Sequence, residues 1–487
     1  MIRDVLLQIR YFLSISLVLS VAGCMVGPDY KRPQTTADTA EGYIYADEYP
    51  QDANDIDEIG RWWERFGDPV TTELVNEALN NNNDLQAAAA RVLQAQALLA
   101  ETRGQQWPDV SYNFNRNRNK TSFNFGGGRF SNLSTTFSQD LTVGYIVDLF
   151  GKLKRAERAA WAEMLAAKAN GQALLNAVIS SVVKARADIA TIQRSLAIAR
   201  ADTANWQRNL EIIERRYSRG LVGPLDVRLA RENLAASKSA EIIIELALVK
   251  ARNALDVLVG RQPGSSEELP QTLAELPDLT PVPVGVPALL LDRRPDVRAA
   301  ELALEASNEQ IGVSIAQLYP DLTLVGAYGR SADVFDDLFI DETEIYSGII
   351  RLAQPIFKGG QLRARVDAAK ARFEELASNY AQTVLTALRE VEDALVREQL
   401  LQRRLNAVQL RFNEATAAEK LAGQRYLRGV ERLITVLETE RRRRIAENQL
   451  NNLKGELWAA RVDLFLSLGG DWVADRQQSN YQGRFYD

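Results

Sequence analysis

Two hydrophobic rhythms alternate along the chain, and each occurs twice. Val110, Tyr112 and Phe114 alternate with Ser111, Asn113 and Asn115, and Phe137, Leu141, Val143, Tyr145 and Val147 alternate with Ser138, Asp140, Thr142 and Gly144. A period of two predicts strands with one apolar and one polar face. Later, Leu322 and Leu324 flank Thr323, and Tyr346, Ile350 and Leu352 form one face of a returning strand. Elsewhere the spacing lengthens. Val178, Val182, Ala185, Ile189, Ile192, Leu196 and Ala199 step by four and three in turn, as do Leu401, Leu405, Val408, Phe412 and Ala415. That is the 3.5-residue seam of helices packed along their length. Proline-free helices are therefore expected over 152–219 and 361–428, each about 100 Å long. Return helices are expected over 225–259 and 433–468. Residues 69–106 also read as helical, with a polar break at Asn80 to Asn83, and Asp68 is placed to cap them ahead of Pro69.

The two rhythms belong to one internal repeat. Asp84 pairs with Asp296, Pro108 with Pro320 and Asp109 with Asp321 at an offset of 212; past the hairpins, Gly151 pairs with Gly360, Tyr217 with Tyr426, Gly220 with Gly429 and Gly260 with Gly469 at 209. A period this long marks a duplicated half-domain rather than a solenoid. The expected organisation is a first repeat at 62–260 with its hairpin at about 109–148, and a second at 288–469 with its hairpin at about 321–356. A linker at 261–287 lies between them, holding six of the fifteen prolines; residues 470–487 form a tail. The fold class follows: mainly α, with duplicated halves, long antiparallel coiled-coil helices and four β-strands per chain.

Periodicity alone does not separate a membrane strand from a half-buried soluble one, and the first residues decide between them. Arg3 and Arg10 precede a short apolar run ending at Val21, too short to cross a bilayer as a helix. This reads as a signal peptide over 1–23. The exit, Val21-Ala22-Gly23-Cys24, resembles a bacterial lipobox, which implies lipid (a palmitate among the chains) on Cys24, at the start of an extended acidic arm over 24–61. Met25, rather than an aspartate, follows the cysteine, and by the same resemblance this favours the outer membrane. In lipid, four strands leave two open edges with unpaired backbone groups. Closure then needs further copies: two, three or four chains give eight, twelve or sixteen strands. The connections, Asn124 to Gly128 and Asp333 to Glu344, read as solvated loops.

Composition narrows the chemistry. Among 487 residues, 25% are charged, the net charge is −6, there is no histidine, and Cys24 is the sole cysteine. Histidine-based triads, intrachain disulfides and most zinc sites are excluded. The charge gives no reason to expect nucleic acid. The glycine run at Gly126 to Gly128 lacks the Lys-Ser/Thr of a phosphate cradle. Arg441 to Arg444, beside Glu438, Glu440 and Glu447, read as a solvated, salt-bridged helix face. No catalytic, cofactor or metal residues are expected, and no enzyme.

Taken together, the lipobox followed by Gly27-Pro28-Asp29-Tyr30, the Trp62-Trp63…Phe66-Gly67-Asp68-Pro69 segment, the doubled Pro-Asp hairpin and the doubled Tyr-x-x-Gly turn resemble the TolC-type outer-membrane factors. The likeness is to the lipoprotein (OprM or NodT-like) branch serving resistance–nodulation–division efflux systems. It implies a homotrimer closing a twelve-stranded barrel, continued by a helical tunnel through the periplasm, with the linker and tail in an equatorial belt. It implies as partners outer-membrane lipid, a periplasmic adaptor and an inner-membrane transporter. The helix tips, Gly220, Leu221, Val222 and Gly223 with Gly429, Val430 and Glu431, would meet the adaptor, although a tight turn favours glycine with or without a partner. Asp226, Tyr426, Glu438 and Arg441 stand at the family's gate positions. Glu431 replaces a latch arginine, which Arg428 and Arg432 are near enough to supply, and Thr435 replaces a second constriction acid. The implied role is a passive conduit exporting small molecules. Type I protein or peptide secretion, and a lipid-anchored periplasmic spacer, are the alternatives from other classes.

Overall fold

A computed structural model describes residues 25–47, 49, 61–125, 128–265, 269–270 and 273–470. The signal segment, Cys24 and nearly all of the tail lie outside the described residues. Seven helices and four strands carry the fold: α1 (Pro69–Asn81), α2 (Asn83–Gly104), β1 (Asp109–Phe125), β2 (Gly128–Val147), α3 (Lys152–Ser218), α4 (Pro224–Leu258), α5 (Pro295–Ala316), β3 (Asp321–Ala332), β4 (Glu344–Ala353), α6 (Gln361–Leu427) and α7 (Leu433–Ser467). The repeat governs the element ends. α3 and α6 each have 67 residues, α4 and α7 each have 35, and α2 and α5 each have 22. The polar break expected at Asn80 to Asn83 is the α1–α2 junction. There Asn82 turns its side-chain oxygen to the backbone N–H groups of Asp84 and Leu85.

The chain forms two compact units, each drawing on both repeats. The described residues of the first lie within 25–33, 91–168 and 299–381, and it holds the sheet. All four strands are antiparallel, in the order β1-β2-β3-β4. Phe125 pairs with Gly128 at the first hairpin, Val147 with Leu322 between hairpins, and Leu322 with Leu352 in the second. The hairpin strands are long, so β1 and β2 run into the Asn124 to Gly128 stretch expected as loop. Gly329 is required where it crosses β2: a Cβ there would sit 2.0 Å from the Gln139 carbonyl oxygen.

The arm residues 25–30 are clamped onto this unit rather than lying free. The Val26 N–H donates to the Phe150 carbonyl at 3.2 Å. Gly27, at φ 101°, lets the arm ride directly on Gly312 of α5, where any side chain would collide with its Cα. Arg155, almost fully buried, donates to the Val26 and Gly27 carbonyls and to Glu309. Asn308 donates to the Pro28 carbonyl at 3.0 Å. Burial next to Glu301 pushes the Tyr30 phenol up from its ordinary value. The Gly-Pro-Asp-Tyr motif is therefore a packing motif.

The second unit, whose described residues lie within 34–90, 169–298 and 382–470, is helical. Trp62, fully buried, stacks on Phe465 at 5.4 Å, and Phe66 meets Trp458 at 4.8 Å. Gly67 turns the chain at φ 64°, and Asp68 caps α1 as expected, accepting from the Thr71 N–H. Arg186 also reaches Asp68, at 3.3 Å. Here the arm departs from its expectation as an extended, unpacked tract. Tyr43, Ala46 and Tyr49 are buried, and the backbone N–H groups of Ile44 and Tyr45 donate to the Glu392 carboxylate. Apolar residues spaced along a polar segment were enough to seat it.

Candidate functional site

The strand register sorts every side chain of the sheet onto one of two faces. Val110, Tyr112 and Phe114 of β1 lie with Phe137, Leu141, Val143, Tyr145 and Val147 of β2, with Leu322, Leu324 and Tyr328 of β3, and with Tyr346, Ile350 and Leu352 of β4; the Phe114 row of the same face also carries Gln139, Arg330 and Glu344. Many are exposed despite their size: Tyr346 83%, Ile350 78%, Tyr112 65%. On the first hairpin, from the Val147 row to the Phe137 row and with Gln139 as its polar exception, this band extends about 33 Å along the strands, or about 25 Å when strands tilt near 40°. That matches the height of the apolar band of an outer-membrane barrel. At its helix end lie Trp107, Phe357 and the stacked pair Phe150–Tyr319, with ring centroids at 4.7 Å. Aromatic residues at such a boundary favour the membrane–water interface.

The opposite face of the first hairpin is polar. Ser111, Asn113, Asn115, Asn117 and Asn119 face Thr142, Asp140, Ser138, Thr136 and Ser134. Asn113 and Thr142 both donate to Asp140, at 3.0 and 2.7 Å. The second hairpin is less strictly divided, since Val325, Ile345 and Ile349 share the face opposite the band. Among the described residues, neither outer edge, β1 or β4, has a partner strand within the chain. All ten residues of β4 are exposed.

The loop after β3 is solvated as expected of its acids, but it is not irregular. It folds into two short helical turns, Asp336–Phe339 and Asp341–Thr343. Leu338 is fully buried, and Phe335 meets Phe137 at 5.6 Å and Phe114 at 6.3 Å. Arg330 fastens the loop by donating to the Phe339 carbonyl and to Asp341. The hydrophobic residues between the acids decide its course.

At the helix tips the two repeats turn identically. Gly220 at φ 75° and Gly429 at φ 76° end α3 and α6. Gly220 N–H donates to Tyr217 and Leu221 N–H to Arg216, just as Gly429 donates to Tyr426 and Val430 to Arg425. These are left-handed helix caps, which explains the doubled Tyr-x-x-Gly. Gly223 has an ordinary negative φ and open space around it, so the backbone does not demand glycine there. Leu221 and Val430 at the tips are each 63% exposed, and Leu225 and Ile434 are similarly exposed. Val222 instead packs inward with Leu433 and Leu437 against Trp206, Leu210 and Ile213.

Each gate candidate has a local partner. Asp226 accepts from the Gly223 N–H and caps its own helix. Tyr426 lies under the Arg216 guanidinium, 4.8 Å from the ring centroid. Glu438 binds Arg441 and Arg442 of its own helix. Those two guanidiniums hold its carboxyl down at about 2. Glu431 and Thr435, the two departures from the family pattern, bond to each other at 3.0 Å. Glu431 also pairs with Arg425.

A second charge cluster escaped the sequence reading. Arg443 turns inward and binds Asp202 of α3, Glu419 of α6 and Glu447 of its own helix. Arg444 also faces Asp202 and lies over the Trp206 ring. Burial pushes the carboxyls of Asp202 and Glu419 up. Of the four arginines, Arg441 and Arg442 thus have the solvated role expected of the run, whereas Arg443 and Arg444 cross-link helices. An acid at Asp202, one step past the apolar seam position Ala199, was the available signal.

Comparison with known proteins agrees with this geometry. A family model described as outer membrane efflux protein matches residues 74–261 and 286–470. The toluene efflux pump outer membrane protein TtgF of Pseudomonas putida is 30% identical over 473 residues, covering 95% of this chain and 97% of that protein. The pyoverdine export outer membrane protein OpmQ of Pseudomonas putida is 32% identical over 422 residues, covering 85% and 89%. The solved structure of the outer-membrane channel OprN superposes with a TM-score of 0.84 at 29% identity, over 92% of this chain and 100% of that one. A two-faced sheet, paired long helices and a match spanning both repeats lead to one conclusion: the chain belongs to the outer membrane efflux protein family.

Proposed function

We propose that this outer-membrane efflux channel acts as a homotrimer, a passive conduit without enzymatic activity for small organic molecules. The observation that carries this is the sheet: among the described residues, four strands, one mainly apolar face of about bilayer height, and edges at β1 and β4 without a partner strand. Three copies pair β4 of one to β1 of the next and close twelve strands, leaving no edge in lipid. The asparagine- and serine-rich face then lines a wet pore. Transport energy comes from an inner-membrane resistance–nodulation–division transporter. A periplasmic adaptor joins the two by seating on the exposed Leu221 and Val430 and the glycines beside them. The relatives are named for toluene and pyoverdine, which supports small organic cargo.

Cys24 carries the lipid. The support is positional: Met25 packs against Gly151 and Val26 bonds to Phe150, at the foot of the sheet. An acyl chain attached one residue earlier enters the membrane beside the aromatic boundary.

Asp226, Tyr426, Glu438 and Arg441 form the gate region, with Arg216 holding Tyr426. Opening then needs a docked partner that favours another arrangement of these contacts.

The test is reconstitution of the processed chain in planar bilayers, with cysteines placed at facing β1 and β4 edge positions. Stepwise pores and a cross-linked ladder ending at trimer are expected. A polypeptide that stays monomeric and dissolved in plain buffer with its strands folded overturns the reading. For the gate, Glu438→Gln should change single-channel conductance, and unchanged conductance and cation selectivity would remove Glu438 from it.

A further inference from the structure

The apolar face of the first hairpin does not end in neutral residues; it continues as a column of cations. Past Val110, Tyr112 and Phe114, the next residues on that face of β1 are Arg116, Arg118 and Lys120. All three are exposed. The β2 residues paired with them are Phe137, Thr135 and Leu133, none of them charged. Arg116 lies over the Phe137 ring, 5.5 Å from its centroid. Among the described residues none of the three makes an ion pair; the adjoining loop carries Asp333, Asp336, Asp337, Asp341 and Glu342, of which Asp341 pairs with Arg330.

Depth gives the column its meaning. Arg116 stands in the Phe137 row, the last row of the apolar band. Arg118 and Lys120 lie about 5 and 10 Å farther along, at ~3.3 Å per residue and a tilt near 40°. A cation on the lipid face is strongly disfavoured at mid-depth and tolerated at the interface. This column begins where the interface begins, at the end of the strands away from their helices.

We propose that Arg116, Arg118 and Lys120 form a binding surface for the phosphate groups of an acylated phosphosugar, the lipid A type of the outer leaflet. The acyl chains lie on Tyr112, Leu141 and Val143, below the Phe114–Gln139 row. The guanidinium groups grip phosphate oxygens in a fork, and the lysine adds a point charge. Continuity of cations with an apolar band selects a phospholipid-like amphiphile over a soluble polyanion, which has no use for the band. The inference rests on the proposed barrel, with its apolar face outward.

The full processed chain in mild detergent provides the test. Added lipid A should raise its melting temperature and be retained through washing, both weakening as salt rises. In Arg116→Gln/Arg118→Gln/Lys120→Gln, retention should fall roughly tenfold or more, and Arg116→Lys/Arg118→Lys should keep most of it. Arg351→Gln, on the opposite sheet face, should bind lipid A like the wild type. Undiminished retention in the triple variant overturns the proposal, as does equal protection by inorganic phosphate. If Asp336→Asn/Asp337→Asn or the triple variant destabilises the protein equally without lipid A, the cations serve a protein contact instead, and the proposal fails. Heat-modifiable migration of each variant reports barrel assembly separately, so loss of the barrel is distinguished from loss of the lipid site.

Discussion

Glu438 shows how a residue's role depends on its neighbours. Arg441 and Arg442 hold its folded-state carboxyl at about 2, below the ordinary 4.5. A depressed carboxylate contributes stability above its unfolded value and loses it as pH falls through the folded one, so the window lies between about 4.5 and 2. Conductance of the wild type and of Glu438→Gln should therefore run parallel between pH 5 and 8, offset but with no step; a step in the wild type alone would contradict the pairing. The tip glycines make a second residue-scale case. Gly220 and Gly429 occupy left-handed backbone, and alanine at either should cost about 1 kcal/mol in a denaturation series. Gly223→Ala meets nothing and should be within about 0.5 kcal/mol of wild type. Reduced adaptor affinity in Gly223→Ala would then report contact rather than a broken turn. The identities of these residues could be read in the sequence. Which glycines the backbone needs could not, because that depends on φ.

Among the elements, helix seams and strand alternation were legible because each follows from the direction in which successive side chains point. The observed helix ends fall within one residue of those expected for α3, α4, α6 and α7. Contacts made between elements by polar groups were not legible. Arg443 joins α3, α6 and α7 through three acids. Arg443→Gln leaves partly buried carboxylates without their cation, and should lower stability by about 2 kcal/mol, less than for a fully buried pair because the site is part-exposed. Chemical denaturation measures it, and a change within error would show the acids are satisfied without it. In the sheet, Gly329→Val forces a side chain into the β2 backbone. Heat-modifiable migration should be lost, while far-UV helical signal from the long helices persists.

At the scale of the whole molecule, sequence and compactness divide the chain differently. The repeat splits it end to end, yet each compact unit gathers segments from both halves. The arm itself is bound to α5 of the second repeat through Gly27 on Gly312 and Asn308 to Pro28. Residues 62–260 expressed alone should therefore show helix without a cooperative thermal transition. A sharp transition in the isolated half would mean each repeat folds independently.

What the sequence determined by itself was the duplication, the long helices, the two-faced strands and the family likeness, because periodicity and spacing are properties of the chain. Tertiary structure decided the rest: the clamped arm, the loop held by Phe335 and the inward turn of Arg443. Those depend on which residues of distant segments meet, and strand register and burial fix that only once the chain has folded.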